Sequence, residues 1–181
     1  MKRIVPFVLL ALVLTAGAAS ALGVSIGAGA FGGVSIPLLQ DDSKQGTLYG
    51  LRVPVSLLSL LKVEPYWATA SLGDVDETFG TLPYTRDGGK VTAYGVNALL
   101  STGGPVRFYP FVGIGSHKLT RAGTEDLSKI GYNFGLGLGL SPIPKFDLDL
   151  RGELNMITLG ETSRKFANVT AGVSYHFLSL P

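Results

Sequence analysis

The chain has 181 residues, with 15 Lys and Arg against 13 Asp and Glu, no cysteine, and a mean hydropathy of +0.35. The lack of cysteine excludes a disulfide framework, thiolate metal sites and cysteine catalysis. A helical membrane protein is excluded, because no apolar stretch beyond residue 21 reaches roughly 18 residues. High hydropathy in a chain too short for a very large core favours strands that face lipid.

Residues 1–21 have the three parts of a secretory signal. A basic start at Lys2 and Arg3 precedes the apolar run Ile4–Leu14, and Ala19-Ser20-Ala21 supplies the small residues of a cleavage site. The apolar run is shorter than the roughly 20 residues of a membrane-spanning helix. We therefore predict that this segment is a signal peptide cleaved after its last alanine, and not a retained anchor.

The predicted mature chain, residues 22–181, is a single domain of neutral charge. Cleavage leaves 13 of the 15 Lys and Arg residues against 13 Asp and Glu. The pI of 8.9 for the whole chain therefore comes from the leader, and the sequence gives no argument for a nucleic-acid partner.

Eight stretches of the mature chain alternate apolar and polar residues, a period of two that places successive side chains on opposite faces of a strand. The clearest example is residues 135–140, in which three glycines alternate with three leucines. We predict an all-β fold of eight strands, at about residues 23–32, 47–57, 62–72, 90–101, 105–117, 129–141, 145–158 and 164–177.

The connections between these strands alternate in character. Odd-numbered connections are polar and mostly long, at 37–46, 73–89, 118–128 and 159–163, whereas even-numbered ones are tight, at 58–61, 102–104 and 142–144. Long loops outside the cell and short turns in the periplasm are typical of transmembrane β-barrels. The pattern predicts an antiparallel up-and-down barrel with both chain ends on the periplasmic side.

The bulky apolar residues of each strand are predicted to face lipid, and the glycines and charges to face the lumen. If Leu136 and Leu138 pointed inward, as in a soluble lipocalin-type barrel, the outer face of their strand would be nearly all glycine. An eight-stranded barrel is only wide enough for its own side chains, and isolated charges there are costly. We predict an interior polar network that plugs the lumen, formed by Arg52, Glu64, Asp147, Asp149, Arg151, Glu153 and His176.

Aromatic residues concentrate near the predicted strand ends, where membrane barrels place girdles at both interfaces. Ordinary β propensity also favours Tyr and Phe, and is the alternative explanation. The residues assigned to the girdles are Tyr49, Phe108, Tyr109, Phe146, Phe166, Tyr175 and Phe177.

Two motifs resemble those of a known family, the small eight-stranded outer-membrane barrels of the OmpA/OmpX type. Residues 110–115 resemble its Pro-aromatic-x-Gly-x-Gly strand. Thr170, Gly172, Tyr175 and Phe177 resemble the C-terminal signal read by the barrel-assembly machinery, although residues 178–181 follow the final aromatic. The resemblance implies a bacterial outer-membrane location, chaperone delivery through the periplasm, and machine-assisted insertion into outer-membrane lipid.

The sequence offers little for catalysis. Ser174 and His176 share a strand face, and Glu153 or Asp149 could complete a triad from the neighbouring strand. An interior histidine, with His117 near the outer rim, is the simpler interpretation. The sequence contains neither a dinucleotide motif nor metal-ligand spacing, so we expect no enzymatic activity, no cofactor and no metal site.

We interpret the chain as a monomeric outer-membrane barrel with a structural or surface-interaction role, similar to that of an adhesin, exercised through loops 37–46, 73–89 and 118–128. Phe79, Leu82 and Tyr84 are the best candidates for a contact patch. Three alternatives stay open: a narrow pore for small solutes, a lipid-modifying enzyme, and a soluble lipocalin-like barrel that holds an apolar ligand.

Overall fold

The computed structural model describes residues 24–38, 43–57, 60–79, 82–102, 104–158 and 163–180, so the predicted signal peptide lies outside the described residues. In the described part of the chain, no helix is long and apolar enough to span a membrane. The strands are β1 (Val24–Leu38), β2 (Lys44–Arg52), β3 (Val55–Ser56), β4 (Leu61–Gly73), β5 (Val75–Phe79), β6 (Leu82–Arg86), β7 (Lys90–Leu100), β8 (Val106–Thr120), β9 (Leu127–Ile143), β10 (Phe146–Thr158) and β11 (Ser163–Leu180).

The described strands close into an antiparallel ring of eight positions. Around the ring, β1 pairs with β2, and then follow β4, β7, β8, β9, β10 and β11, which returns to β1. The closing pair runs from Val24 opposite Leu180 to Leu38 opposite Lys165. The short β3 continues β2, because it pairs with the same two neighbours. The predicted eight-stranded up-and-down barrel is therefore confirmed.

The outer wall is apolar, as the alternation predicts. Leu136 is 54% exposed and Leu138 is 51% exposed, on the face opposite the lumen. Gly137, which lies between them, leaves room for a large ring on the inner face. A Cβ at Gly137 would lie 2.2 Å from Cζ of the inward-facing Tyr109, so that position requires a close approach that only glycine permits.

Several strand boundaries differ from the sequence prediction. β1 continues to Leu38, so the first connection is shorter than predicted. The second strand position of the barrel is interrupted at Val53 and Pro54, between β2 and β3, because proline lacks the N–H that a strand ladder needs. The Pro54 carbonyl accepts a hydrogen bond from the amide of Gly27 at 2.9 Å. At the other end of the chain, β11 includes most of the tail, with Leu178 opposite Ile26.

The largest difference lies between β4 and β7, in residues 73–89, which were predicted as a loop. They contain a hairpin, β5 and β6, that forms a two-stranded sheet separate from the barrel. Its register runs from Val75 opposite Arg86 to Phe79 opposite Leu82. The long-loop end of the barrel therefore carries an ordered extension.

Two of the seven girdle assignments are wrong. Tyr109 is only 5% exposed and Phe166 only 3%, so both rings fill the lumen. Their position in the alternation explains the error: Tyr109 shares a face with the buried Phe111, and Phe166 shares a face with Asn168. Phe108, next to Tyr109, and Val169, next to Asn168, face outward.

Candidate functional site

Two arginines and two carboxylates meet in the lumen, and we call Arg52, Glu64, Asp149 and Arg151 the four-charge ring. Arg151 donates from Nη1 and Nη2 to the two oxygens of Glu64, at 2.5 and 2.8 Å. Its Nε donates to Oδ1 of Asp149 at 3.1 Å. Arg52 forms a bidentate pair with Asp149, with Nη1 at 3.0 Å from Oδ1, and its Nε lies 3.8 Å from Glu64.

Aromatic rings and hydroxyls enclose this ring of charges. The Arg52 guanidinium lies 5.4 Å from the centroid of Phe31, and Arg151 lies 5.3 Å from Tyr109 and 5.5 Å from Phe111. The four charged side chains are between 1% and 8% exposed. Removing one partner from such a buried set leaves an uncompensated charge, which is strongly destabilising.

A second polar cluster lies at the short-turn end of the lumen, and we call it the mouth cluster. Oδ2 of Asp147 accepts hydrogen bonds from Arg107 at 2.8 Å and from Nε2 of His176 at 2.9 Å. Its Oδ1 accepts from the Ser141 hydroxyl at 2.6 Å. On the other side of the imidazole, Nδ1 of His176 lies 2.8 Å from the hydroxyl of Ser25.

Side-chain amides form a third polar group, deeper in the barrel and away from the mouth. Glu153 accepts hydrogen bonds from Asn155 and, at 3.3 Å, from Asn168. Asn133 donates to Asn97 at 2.9 Å. Within the described residues, Tyr66 OH, His117 Nδ1, Asn133 Oδ1 and Asn168 Oδ1 are buried polar atoms without a protein partner. Tyr66, His117 and Asn168 line a cavity of about 50 Å³, which is large enough to hold ordered water.

Apolar side chains fill the lumen at the long-loop end. Leu72, Ile157 and Phe166 form one buried cluster, against which Val91 and Leu119 pack. A neighbouring cluster contains Leu48, Ala68 and Ala70. Successive polar and apolar layers therefore fill the lumen from the short-turn end to the long-loop end.

The seven residues predicted for one interior network all face the lumen, but they divide into three groups. Asp147 and His176 belong to the mouth cluster, and Glu153 belongs to the amide group. The remaining members, Arg52, Glu64, Asp149 and Arg151, are the four-charge ring itself.

The structure does not bring together the candidate triad that contains Ser174. The Ser174 hydroxyl accepts a hydrogen bond from Arg52 at 3.3 Å, and Ser25 takes its place at His176. The contact between Ser25 and His176 could not be predicted from alternation along one strand, because β1 pairs with β11 only when the barrel closes. Ser25, His176 and Asp147 are hydrogen-bonded in the same sequence as the serine, histidine and aspartate of a nucleophilic triad. However, Arg107 already neutralises the Asp147 carboxylate. His117, predicted at the rim, is only 3% exposed and faces the lumen over Gly131.

The residues of the predicted assembly signal lie on β11. Thr170 is buried against the lumen, whereas Tyr175 and Phe177 are 42% and 56% exposed on the outer wall. Gly172 lies on the inner face, next to the Arg52 guanidinium. The two aromatic side chains of the motif therefore face outward near the short-turn end.

At the opposite end, hydrogen bonds tie the connections together. Asp87 accepts N–H donors from Gly89 and from Ala122 of the β8–β9 connection, both at 3.0 Å. These bonds hold the pKa of the Asp87 carboxyl below its usual range. Hydrogen bonds from Lys118 and Thr120 likewise lower the pKa of Asp126.

The β5–β6 hairpin carries the predicted contact patch. Tyr84 is 60% exposed, and the Phe79 and Leu82 backbones pair at the hairpin tip, while their side chains lie outside the described part of the structure. Asp76 links the hairpin strands by accepting from Thr85 at 3.1 Å, and it pairs with Lys44 of β2 at 3.3 Å.

A closed antiparallel ring with an apolar outer wall and a filled polar lumen defines a transmembrane β-barrel. Residues 7–177 match the family described as outer membrane protein beta-barrel domain. The chain therefore belongs to this family, and its location is the bacterial outer membrane. No curated protein matches the sequence significantly.

Solved structures with the same fold have low sequence identity to this chain. Neisserial surface protein A has a TM-score of 0.64 and 18% identity, covering 85% of this chain and 97% of that one. The N-terminal barrel of Pseudomonas aeruginosa OprF has a TM-score of 0.54 and 16% identity, covering 83% and 97%. Yersinia pestis Ail, solved with the heparin analogue sucrose octasulfate, has a TM-score of 0.51 and 20% identity, covering 86% and 98%.

Proposed function

We propose that the protein is a plugged outer-membrane barrel that acts by surface interaction through its extracellular connections. The observation that carries the proposal is the four-charge ring, whose side chains are at most 8% exposed and cross the lumen together with Phe31, Tyr109 and Phe111. A lumen filled in this way favours a role outside the barrel over solute passage.

The β5–β6 hairpin is the best candidate for the contact surface. It lies at the long-loop end, which is extracellular in this family. An ordered hairpin loses less conformational entropy on binding than a flexible loop, so it is better preorganised for a partner. Tyr84 adds an exposed aromatic side chain, a residue type enriched among the residues that dominate binding energy.

Ail, a relative by fold, has been solved with a heparin analogue bound. This precedent supports a barrel of this type as a platform for ligands. In the present chain, the hairpin carries Asp76 and Glu77 beside its aromatic and apolar residues. We therefore propose a protein partner for the hairpin in preference to a sulfated polysaccharide.

The proposal can be tested with proteoliposomes that carry the mature chain, measured for retention on fibronectin, laminin and heparin surfaces. We expect retention on at least one of the protein surfaces. Removal of residues 75–86 should lower it by about tenfold, and Tyr84→Ala by severalfold. The control Leu138→Ala shortens a lipid-facing side chain of the barrel wall and should retain wild-type binding. Retention no higher than that of empty liposomes on both protein surfaces would contradict the proposal.

A planar-bilayer measurement separates the plugged barrel from the narrow pore. We expect the wild-type chain to insert without stepwise conductance, because the four-charge ring and the apolar clusters both fill the lumen. Regular single-channel steps from the purified protein would favour the pore instead.

A further inference from the structure

The mouth cluster borders an open pocket of about 480 Å³ at the short-turn end of the barrel, which faces the periplasm in this family. The polar residues that line it include Ser25, Lys62, Arg107, Ser141, Lys145 and His176. Its volume falls within the range of small-molecule sites. The pocket lies at the opposite end of the barrel from the proposed contact hairpin.

Positive charge exceeds negative charge around this pocket. Lys62, Arg107 and Lys145 line it, whereas Asp147 supplies the only carboxylate among its described lining residues. The Lys62 ammonium lies 3.9 Å from Asp147, a longer separation than the 2.8 Å between Arg107 and the same carboxylate. The pocket therefore has an excess of two positive charges with neutral histidine, and Lys62 is loosely paired.

The donors of the pocket are held in place before any ligand arrives. Arg107 bonds both Asp147 and the Ser141 hydroxyl, at 2.8 and 2.5 Å, which fixes the plane of its guanidinium. His176 is held from both sides by Ser25 and Asp147. Fixed cations are donors that phosphate oxygens accept from, and preorganisation reduces the entropy that binding costs.

Lys145 gives an independent indication of a site. It has a φ of 69°, in the left-handed region where glycine is the ordinary residue. Its carbonyl accepts the backbone N–H of His176 at 2.8 Å, so the turn is tied to the mouth cluster. A lysine here has a backbone cost that glycine would avoid, and it adds an ammonium to the pocket edge.

We propose that the periplasmic mouth binds a phosphate group. The pocket is larger than a phosphate ion, so the ligand carries the group on a larger body. The phosphate belongs either to a soluble periplasmic phosphoester or to the head group of an inner-leaflet phospholipid. Lys62, Arg107 and Lys145 supply the charge and the donors.

Binding is measured by isothermal titration of the folded chain in a neutral detergent at constant ionic strength, because salt screens exposed charges. Three probes are titrated separately: inorganic phosphate, glycerol 3-phosphate and short-chain phosphatidylglycerol. Binding of the first two indicates a soluble ligand, whereas binding of the lipid alone indicates a head group. Both results support the phosphate site.

Variants locate the binding at the mouth. Lys62→Gln should weaken binding about tenfold, and Lys145→Gly severalfold while relieving the backbone strain. The control Lys118→Gln removes a lysine at the extracellular end and should bind like the wild type. Heat-modifiable migration on a gel verifies that each variant is folded. The absence of a heat of binding for any probe up to about 10 mM, well above the dissociation constant of an ordinary specific site, would overturn the proposal. Equal weakening of binding in Lys62→Gln and Lys118→Gln would overturn it as well.

Discussion

The two halves of the lumen are filled by different chemistry. In the periplasmic half, Arg52, Glu64, Asp149 and Arg151 fill the space with paired charges. In the extracellular half, apolar residues such as Ile157, which is 0% exposed, fill it with hydrocarbon. Both sets of side chains occupy the lumen, but substitutions in them have different consequences: a charge that loses its partner stays charged and buried, whereas a lost apolar side chain leaves a cavity.

The largest expected effect comes from breaking the charged half. Arg151→Ala removes the bidentate partner of Glu64 and one donor to Asp149, and it should lower the free energy of unfolding by about 3–5 kcal/mol. Urea-dependent folding into lipid vesicles measures the change. The double variant Arg151→Met with Glu64→Gln removes both members of the pair and should be less destabilised than the single variant. An unchanged stability in Arg151→Ala would show that the ring does not stabilise the fold.

A slightly smaller effect is expected in the apolar half. Ile157→Ala should lower the free energy of unfolding by about 2–4 kcal/mol, because it leaves a cavity between Leu72 and Phe166. The matched control is Leu138→Ala, which shortens a lipid-facing side chain where lipid can fill the space. The comparison fails if the control loses as much stability as Ile157→Ala.

The charged half could be predicted from the sequence more easily than the apolar half. On β10, Asp149, Arg151 and Glu153 alternate strictly with apolar residues, so their common face was predictable. In contrast, Ile157 and Phe166 lie on polar faces of their strands and read as exceptions to the pattern. Alternation puts Phe166 on the face of the inward-facing Asn168, but aromatic residues near strand ends are typical of the outer girdles, and that second signal put Phe166 on the wrong side.

Contacts that depend on barrel closure could not be predicted from the sequence, for a different reason. Ser25 meets His176 across the β1–β11 seam, 151 residues apart in the chain. The division of the polar residues into three groups depends on strand stagger, which one sequence does not specify. The β5–β6 hairpin was missed because each strand has only five residues, too few for a clear period of two among charged neighbours.

The next prediction concerns a glycine of the barrel wall in the charged half. Gly137→Ala places a methyl group against the Tyr109 ring, which contacts Arg151, and should cost about 1–3 kcal/mol through overpacking. Gly152→Ala is the matched control, since a Cβ there meets nothing within 4 Å. The same vesicle folding assay measures both. Equal stability of the two variants would mean that the ring of Tyr109 can move without disturbing the charged half.

The smallest effect concerns the extracellular connections that lie above the apolar half. Because the folded pKa of Asp87 is lowered by the N–H donors of Gly89 and Ala122, its contribution to stability is present above the unfolded pKa and is lost as pH falls through the folded pKa. The amide resonance of Ala122 should therefore shift in NMR spectra below the usual Asp range, and Asp87→Asn should abolish that titration. Since the carboxyl is exposed, global stability should change little. A shift of the Ala122 amide that persists in Asp87→Asn would assign the titration to another group, and the bond between the two connections would then not be the pH-sensitive element.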